Sequence, residues 1–169
     1  SRGLGDVYKR QVLNSLLLDD PQRDWRQFHL IDLDGRTACW TGVECGRWAG
    51  HRHHPNLSVA GNCLAGEVVL EAMEQTFLTS DPNWKLGRRL MAALQAGEQA
   101  GGDQRSSSCT SAALQVSGEA AFPLLDLRVD FRAGAVEELM ELYERSQDRW
   151  AQQWRDELLE LPMLNRLVA

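Results

Sequence analysis

Two short alternating runs that meet at Asp34-Gly35 constrain this chain more than any other feature. Upstream, Phe28, Leu30 and Ile31 lead to Leu33; downstream the chain resumes as Arg36-Thr37-Ala38-Cys39-Trp40-Thr41. Alternation with period two marks strands that bury one face, and Asp-Gly supplies the backbone conformation a tight hairpin needs. The chain must therefore build antiparallel sheet, and its other segments have to cover that sheet.

Those other segments read as follows. Val12 to Leu18 predicts the last turns of a helix stopped at Asp19-Asp20-Pro21. Gly42 to Asn56 holds glycines, a proline and His51, His53 and His54 without hydrophobic periodicity, which predicts a long surface loop. Leu57 to Ala60 predicts a short strand and Gly61-Asn62 a turn. Val69, Ala72, Met73, Thr76 and Phe77 recur at helical spacing. Asp81 and Pro82 predict the cap and first turn of a second helix, with Leu86, Leu90, Ala93 and Leu94 on one face and Gly101-Gly102 as its stop. Thr110 to Val116 and Leu124 to Val129 predict a second antiparallel pair. From Ala135, a stripe through Leu139, Tyr143, Trp150, Trp154 and Leu158 predicts one long helix packed on the core. Helices covering antiparallel strands give an α+β class.

Bulk properties remove several functions. The 169 residues suit one domain. A net charge of -6 and a pI near 5.2, without a Lys/Arg cluster, exclude a field that attracts phosphate backbones, so nucleic acid is not an expected partner. Apolar runs such as Leu16 to Leu18 are far below the roughly 20 residues of a membrane-spanning helix. Cys39, Cys45, Cys63 and Cys109 form no CxxC pair and read as reduced thiols, which favours a cytoplasmic setting. No cofactor motif is present, and none is expected.

Residues Ser1 to Gln11 look like a translated adapter tail rather than native sequence. Setting aside Arg2, Lys9, Arg10 and Asp6 turns 18 basic and 24 acidic residues into 15 and 23, a charge of -8. On this reading residues 12–169 form a partial domain whose first strands precede the chain, so these residues do not decide for or against secretion.

Four ordered motifs then point to a family. They are Trp40-Thr41-Gly42; Gly61-Asn62-x-Leu64; Gly101-Gly102-Asp103-x-Arg105 followed by Ser111-Ala112-Ala113-Leu114; and Asp126-Leu127-Arg128-Val129-Asp130. Together, from about Asp20 through Leu142, they resemble domain of unknown function family 1028. The resemblance implies an N-terminal-nucleophile (Ntn) hydrolase-like fold, in which two antiparallel sheets lie between helix layers in an αββα sandwich. It also implies chemistry by a first residue of Thr, Ser or Cys whose own α-amine, titrating near 7.7–8.0, acts as general base. That nucleophile is expected upstream of this chain, which by itself is expected to be inactive and to expose sheet edges that invite association, including homo-oligomers.

Candidate site residues follow from residue chemistry and the resemblance together. Gly101, Gly102, Asp103 and Arg105 join a helix to a strand, where paired glycines admit a ligand and an Asp-Arg pair can hold a polar group; the same residues also make an ordinary helix stop with a solvated ion pair. Asn62 can serve as an oxyanion donor or as a turn residue. His51 matches a family position at a pocket mouth. The family pattern is broken at Ser106, by extra residues ahead of Ser111, and at Phe131 and Arg132. A zinc site from Cys45 with the histidines is disfavoured by their spacing, so no metal is expected. Trp150 and Trp154 read as core packing, while Trp48, in the expected loop, is a ligand candidate. The expected activity is hydrolysis of an amide-like bond in a small polar substrate by the parent protein; the alternative is a non-catalytic ligand-binding or structural domain on the same fold.

Overall fold

The computed structural model describes residues 2–105, 111–119 and 122–159. Helix α1 (Arg2–Asp19) is followed by a short 3-10 turn at Arg23–Trp25 and strands β1 (Gln27–Ile31) and β2 (Thr37–Thr41). These pair antiparallel with Phe28 opposite Trp40 and Leu30 opposite Ala38, as the Asp34-Gly35 pattern predicts. Gly35 takes a φ of +73° and its tip abuts Asn56, so a side chain there would collide as well as strain the turn.

The segment expected to be a loop is instead strand over most of its second half. β3 (Trp48–His54) pairs antiparallel with β4 (Leu57–Leu64), with His51 opposite Ala60 and His53 opposite Ser58. The loop expectation failed because it tracked hydrophobic residues. Period two is present here in other residues: His51 and His53 take one face, and Trp48, Arg52 and His54 the other. Gly61-Asn62 is not a turn but continues β4; the turn lies at Pro55-Asn56, where Asn56 has a φ of +63°, suiting a proline-first tight turn.

Layers follow from side-chain direction. One face of the β1–β2 hairpin packs Phe28, Leu30, Ala38 and Trp40 on Leu13 and Leu17 of α1. The outer face of β3–β4 sets Leu57 and Val59 against Leu70 and Phe77 of α2 (Glu67–Thr79) and Ala93 of α3 (Leu86–Gln99). The two hairpins stack on each other between these helices. A third unit pairs β5 (Ala112–Val116) with β6 (Leu125–Val129) and packs Leu114, Leu125 and Val129 on Met91 of α3 and on Leu139 and Tyr143 of α4 (Ala135–Ser146). Leu90 touches both apolar clusters and ties the units together. The class is α+β, with small antiparallel sheets. Among the described residues, no helix is long and apolar enough to cross a membrane.

Three further expectations are corrected. Asp81-Pro82 does not cap α3; Asp81 accepts from the backbone N–H groups of Asn83 and Trp84 in a separate turn, and the helix starts at Leu86. The single long tail helix breaks at Gln147-Asp148, where Asp148 closes a turn on Arg145 and its carbonyl accepts the Gln152 N–H of α5 (Arg149–Leu159). That break turns Trp150 and Trp154 out of line with Leu139 and Tyr143, leaving them 68% and 63% exposed rather than core-facing. Trp48, conversely, is a packing residue against Leu64 and the α2 side, not a free ligand platform. Thr110, Ser106, the extra residues ahead of Ser111, Cys109 and Pro162 lie outside the described residues.

Candidate functional site between the hairpins

The seam between the two hairpins is polar. From β1 and β2 the inward residues are Gln27, His29, Thr37, Cys39 and Thr41; from β3 and β4 they are His51, His53, Ser58 and Asn62. Alternation makes this unavoidable once Phe28, Leu30, Ala38 and Trp40 face α1, because the residues between them must point the other way.

A continuous chain of hydrogen bonds crosses the seam. Asn62 Nδ2 donates to Gln27 Oε1 at 3.0 Å. Gln27 Nε2 lies 3.0 Å from Thr41 Oγ1, Gly50 O and Gly61 O, more acceptors than its two hydrogens can serve at once. Thr41 Oγ1 is 2.8 Å from His51 Nδ1. Beside this chain, His29 Nδ1 is 2.5 Å from Ser58 Oγ, which is itself 3.1 Å from Cys39 Sγ. Thr37 Oγ1 sits 3.1 Å from His53 Nδ1. The rings of His29 and His51 meet edge-on at 6.4 Å, and His51 and His53 are again 6.4 Å apart.

The electrostatics favour neutral imidazoles. Loss of hydration between the hairpins, reinforced by the charge of His51, pulls the His29 pKa below its ordinary value; loss of hydration, reinforced by His53, does the same for His51. Neutral His29 and His51 can each donate at one ring nitrogen and accept at the other, so either can serve its hydroxyl partner in either sense. His54 points to the opposite face, where Nε2 sits 2.6 Å from Glu74 Oε1. Among the described residues no three His, Cys, Asp or Glu side chains converge to hold a metal ion.

The 101–105 segment lies along the end of β4. Gly101 and Gly102 adopt φ of +115° and +48°, ending α3 and turning the chain back onto β4. There Gly102 O accepts from Ala65 N at 3.1 Å, Gln104 N donates to Cys63 O at 2.7 Å, and Asp103 bridges to Leu64. Arg47 Nη1 donates to Gln104 O at 2.6 Å. Asp103 accepts from Arg105 Nε at 2.7 Å, and also from its Nη2 and backbone N–H. The hydrogen bonds from Arg105 dominate, and with Arg47 nearby they hold the Asp103 carboxyl below the ordinary carboxylate range. Thus Asn62 and His51 share one hydrogen-bonded chain, and the Asp103-Arg105 loop is fastened to the strand residue next to Asn62.

Other expectations resolve differently. Asp126, Arg128 and Asp130 do share a face of β6, but as a solvated row in which Arg128 Nη2 meets Asp130 Oδ1 at 2.9 Å. Phe131 is 97% exposed with a φ of +51°, and Arg132 pairs with Glu138. Neither residue reaches the seam. Sequence reasoning missed Gln27, His29, Cys39, Thr41, Ser58 and Arg47. The available signal was the polar half of the same alternation that revealed the hairpin.

A crystal structure of protein SPO2555 from Silicibacter pomeroyi, a DUF1028 protein, superposes with a TM-score of 0.75 at 29% sequence identity, covering 86% of this chain. The chain spans 63% of the length of that protein. No curated protein matches it. The model of the family of unknown function DUF1028 matches residues 5–139, and the chain belongs to that family.

Proposed function

We propose that this chain supplies the substrate-binding wall of an Ntn-type amidohydrolase acting on a small polar amide, with the attacking Thr, Ser or Cys contributed from outside these residues. The observation that carries the reading is the polar seam. Facing strand layers in proteins of this size usually bury apolar side chains, whereas here the facing residues are amides, hydroxyls and neutral imidazoles in hydrogen-bonded order. The stack of α1, hairpin, hairpin and α2 with α3 supports an αββα sandwich of the Ntn kind.

In this reading Asn62 is the oxyanion donor, with Gln27 fixing its carboxamide orientation. His51 lines the pocket mouth, and Asp103 with Arg105 orients a polar group of the substrate. The test uses the whole open reading frame that contains this chain. Replacing the first residue of the mature protein by Ala should abolish amide turnover, and Asn62→Ala should lower kcat by roughly 100- to 1,000-fold with little change in KM. A mature chain starting with anything but Thr, Ser or Cys would overturn the mechanism.

A second reading, a non-catalytic binding or structural domain, is favoured by one observation: each residue of the chain from Asn62 to His51 is already hydrogen-bonded to its neighbour, as a structural network requires. Tight binding of a polar ligand without turnover, lost in Arg105→Ala, selects it over the first.

A further inference from the structure

A groove of about 750 Å³ runs between α3 and α4, away from the hairpin seam. Its size falls in the range of small-ligand sites. The turn made by Asp81 places Trp84 at the groove's rim, and the guanidinium of Arg88 stacks 4.0 Å above that ring. Stacking orients the guanidinium without consuming its N–H donors. Among the described residues no carboxylate pairs with Arg88, and none of the cations pairs with Glu144, which lines the same groove from α4. Lys85 is already committed, donating to Gln147 Oε1 at 2.9 Å and Gln152 Oε1 at 3.1 Å.

The groove therefore holds two opposite charges on facing helices that do not satisfy each other, with apolar surface from Trp84, Met140 and Tyr143 around them. A lone anion would find Arg88 but be repelled by Glu144; an apolar ligand would leave both charges unmatched. A ligand with a carboxylate at one end and an ammonium at the other matches both. Arg88 and Glu144 line the same groove without forming an ion pair with each other, and a dipeptide carries its two terminal charges about 7 Å or less apart along an extended chain. We propose that the α3–α4 groove binds a short zwitterionic peptide, its C-terminal carboxylate on Arg88 and its free N-terminal ammonium on Glu144. This site is independent of the hydrolase reading.

The experiment is calorimetric titration of the full chain with leucyl-leucine, its N-acetyl derivative and its C-terminal amide, with Trp84 fluorescence as a second readout. Free dipeptide should bind saturably, and each blocked form should bind at least about tenfold more weakly, the loss of one charge-assisted contact. Arg88→Ala should remove the distinction between free acid and amide, and Glu144→Gln that between free and acetylated amine. Both side chains are exposed, so neither change should disturb folding, which a circular dichroism melt checks. Acetate or inorganic phosphate binding as tightly as the dipeptide, equal binding of all three dipeptide forms, or no saturable binding would each overturn the proposal. Loss of amide turnover in the whole protein leaves it untouched, because no residue of the groove belongs to the seam.

Discussion

The β3–β4 hairpin has two faces that solve packing in opposite ways. Outward, Leu57 and Val59 meet Leu70, Phe77 and Ala93, with Glu74 as the one buried charge among them, bound to Arg52 Nε at 2.7 Å and to His54. Inward, the same strands present His51, Ser58 and Asn62 to Gln27, His29, Cys39 and Thr41. Apolar burial stabilises in proportion to area, about 25 cal/mol per Å², whereas a neutral hydrogen bond exchanged against water nets only about 1 kcal/mol. The outer seam therefore contributes most of the hairpin's stability, and the inner seam holds its polar side chains in hydrogen-bonded order.

The comparison breaks most sharply on the outer side. Leu70 is 1% exposed at the centre of that seam, and Leu70→Ala should cost about 2–5 kcal/mol, read as a lower urea midpoint at unchanged m. If Gln27→Ala destabilised the chain more than Leu70→Ala, the assignment of roles to the two seams would be reversed.

Glu74 comes next. Burial alone would raise its pKa, but hydrogen bonds from Arg52 and His54 win and hold it below its ordinary value. Glu74→Ala strands Arg52 beside an apolar helix face; because that guanidinium keeps partial solvent access and lies near Glu67 and Glu71, the loss should be about 2 kcal/mol, below the range for a fully buried pair. Adding Arg52→Met to Glu74→Ala should recover part of it. A double variant no more stable than Glu74→Ala would show that Arg52 was not the stranded charge.

How much of this was legible in the sequence depends on the kind of residue that carries the signal. Phe28, Leu30, Ala38 and Trp40 announce a hairpin because apolar alternation has few other uses, and the helices α2 and α3 show themselves by the spacing of Val69, Met73 and Phe77 and of Leu86, Leu90 and Leu94. β3 was hidden because its alternating residues are mostly histidines, an arginine and one glycine, for which loop and strand look alike until a partner strand is known. The tail helix was over-extended for a related reason: Trp150 and Trp154 continue a stripe in one dimension, and only the break at Gln147-Asp148 shows that they leave the core. For the site, His51, Asn62, Asp103 and Arg105 could be named one by one, but His51 and Asn62 are joined through Gln27 and Thr41, and the 101–105 loop is fastened through the β4 backbone at Cys63 and Leu64, links that exist only in the folded pairing.

A smaller effect sharpens the inner seam. Gln27→Leu removes the group that joins Asn62 to Thr41 and leaves the carbonyls of Gly50 and Gly61 without its N–H donors, so it should cost about 1–3 kcal/mol. Crosslinks or nuclear Overhauser contacts between β1 and β4 should weaken while those between β4 and α2 persist. Loss of both sets together would mean that the two seams form one cooperative unit.

The smallest effect separates the seams by pH. His29 and His51 have folded-state pKa values below their ordinary 6.5, so the unfolded chain binds protons that the folded chain refuses. Stability is then fully present above about 6.5 and falls as pH drops through that value towards the folded pKa values. Glu74, depressed from 4.5, acts in a lower window: its contribution is present above 4.5 and is lost as pH falls below that. A titration of the urea midpoint should therefore descend in two stages, the first from the inner seam and the second from the outer. His51→Gln keeps a hydrogen-bonding side chain opposite Thr41 but cannot take up a proton, and it should flatten the first stage while leaving the second intact. Because both imidazoles keep some contact with solvent, the first stage should be the shallower. A first stage unchanged in both His51→Gln and His29→Gln would show that the polar seam admits a charged imidazole without penalty, and a network of neutral groups from Asn62 to His51 would no longer describe it.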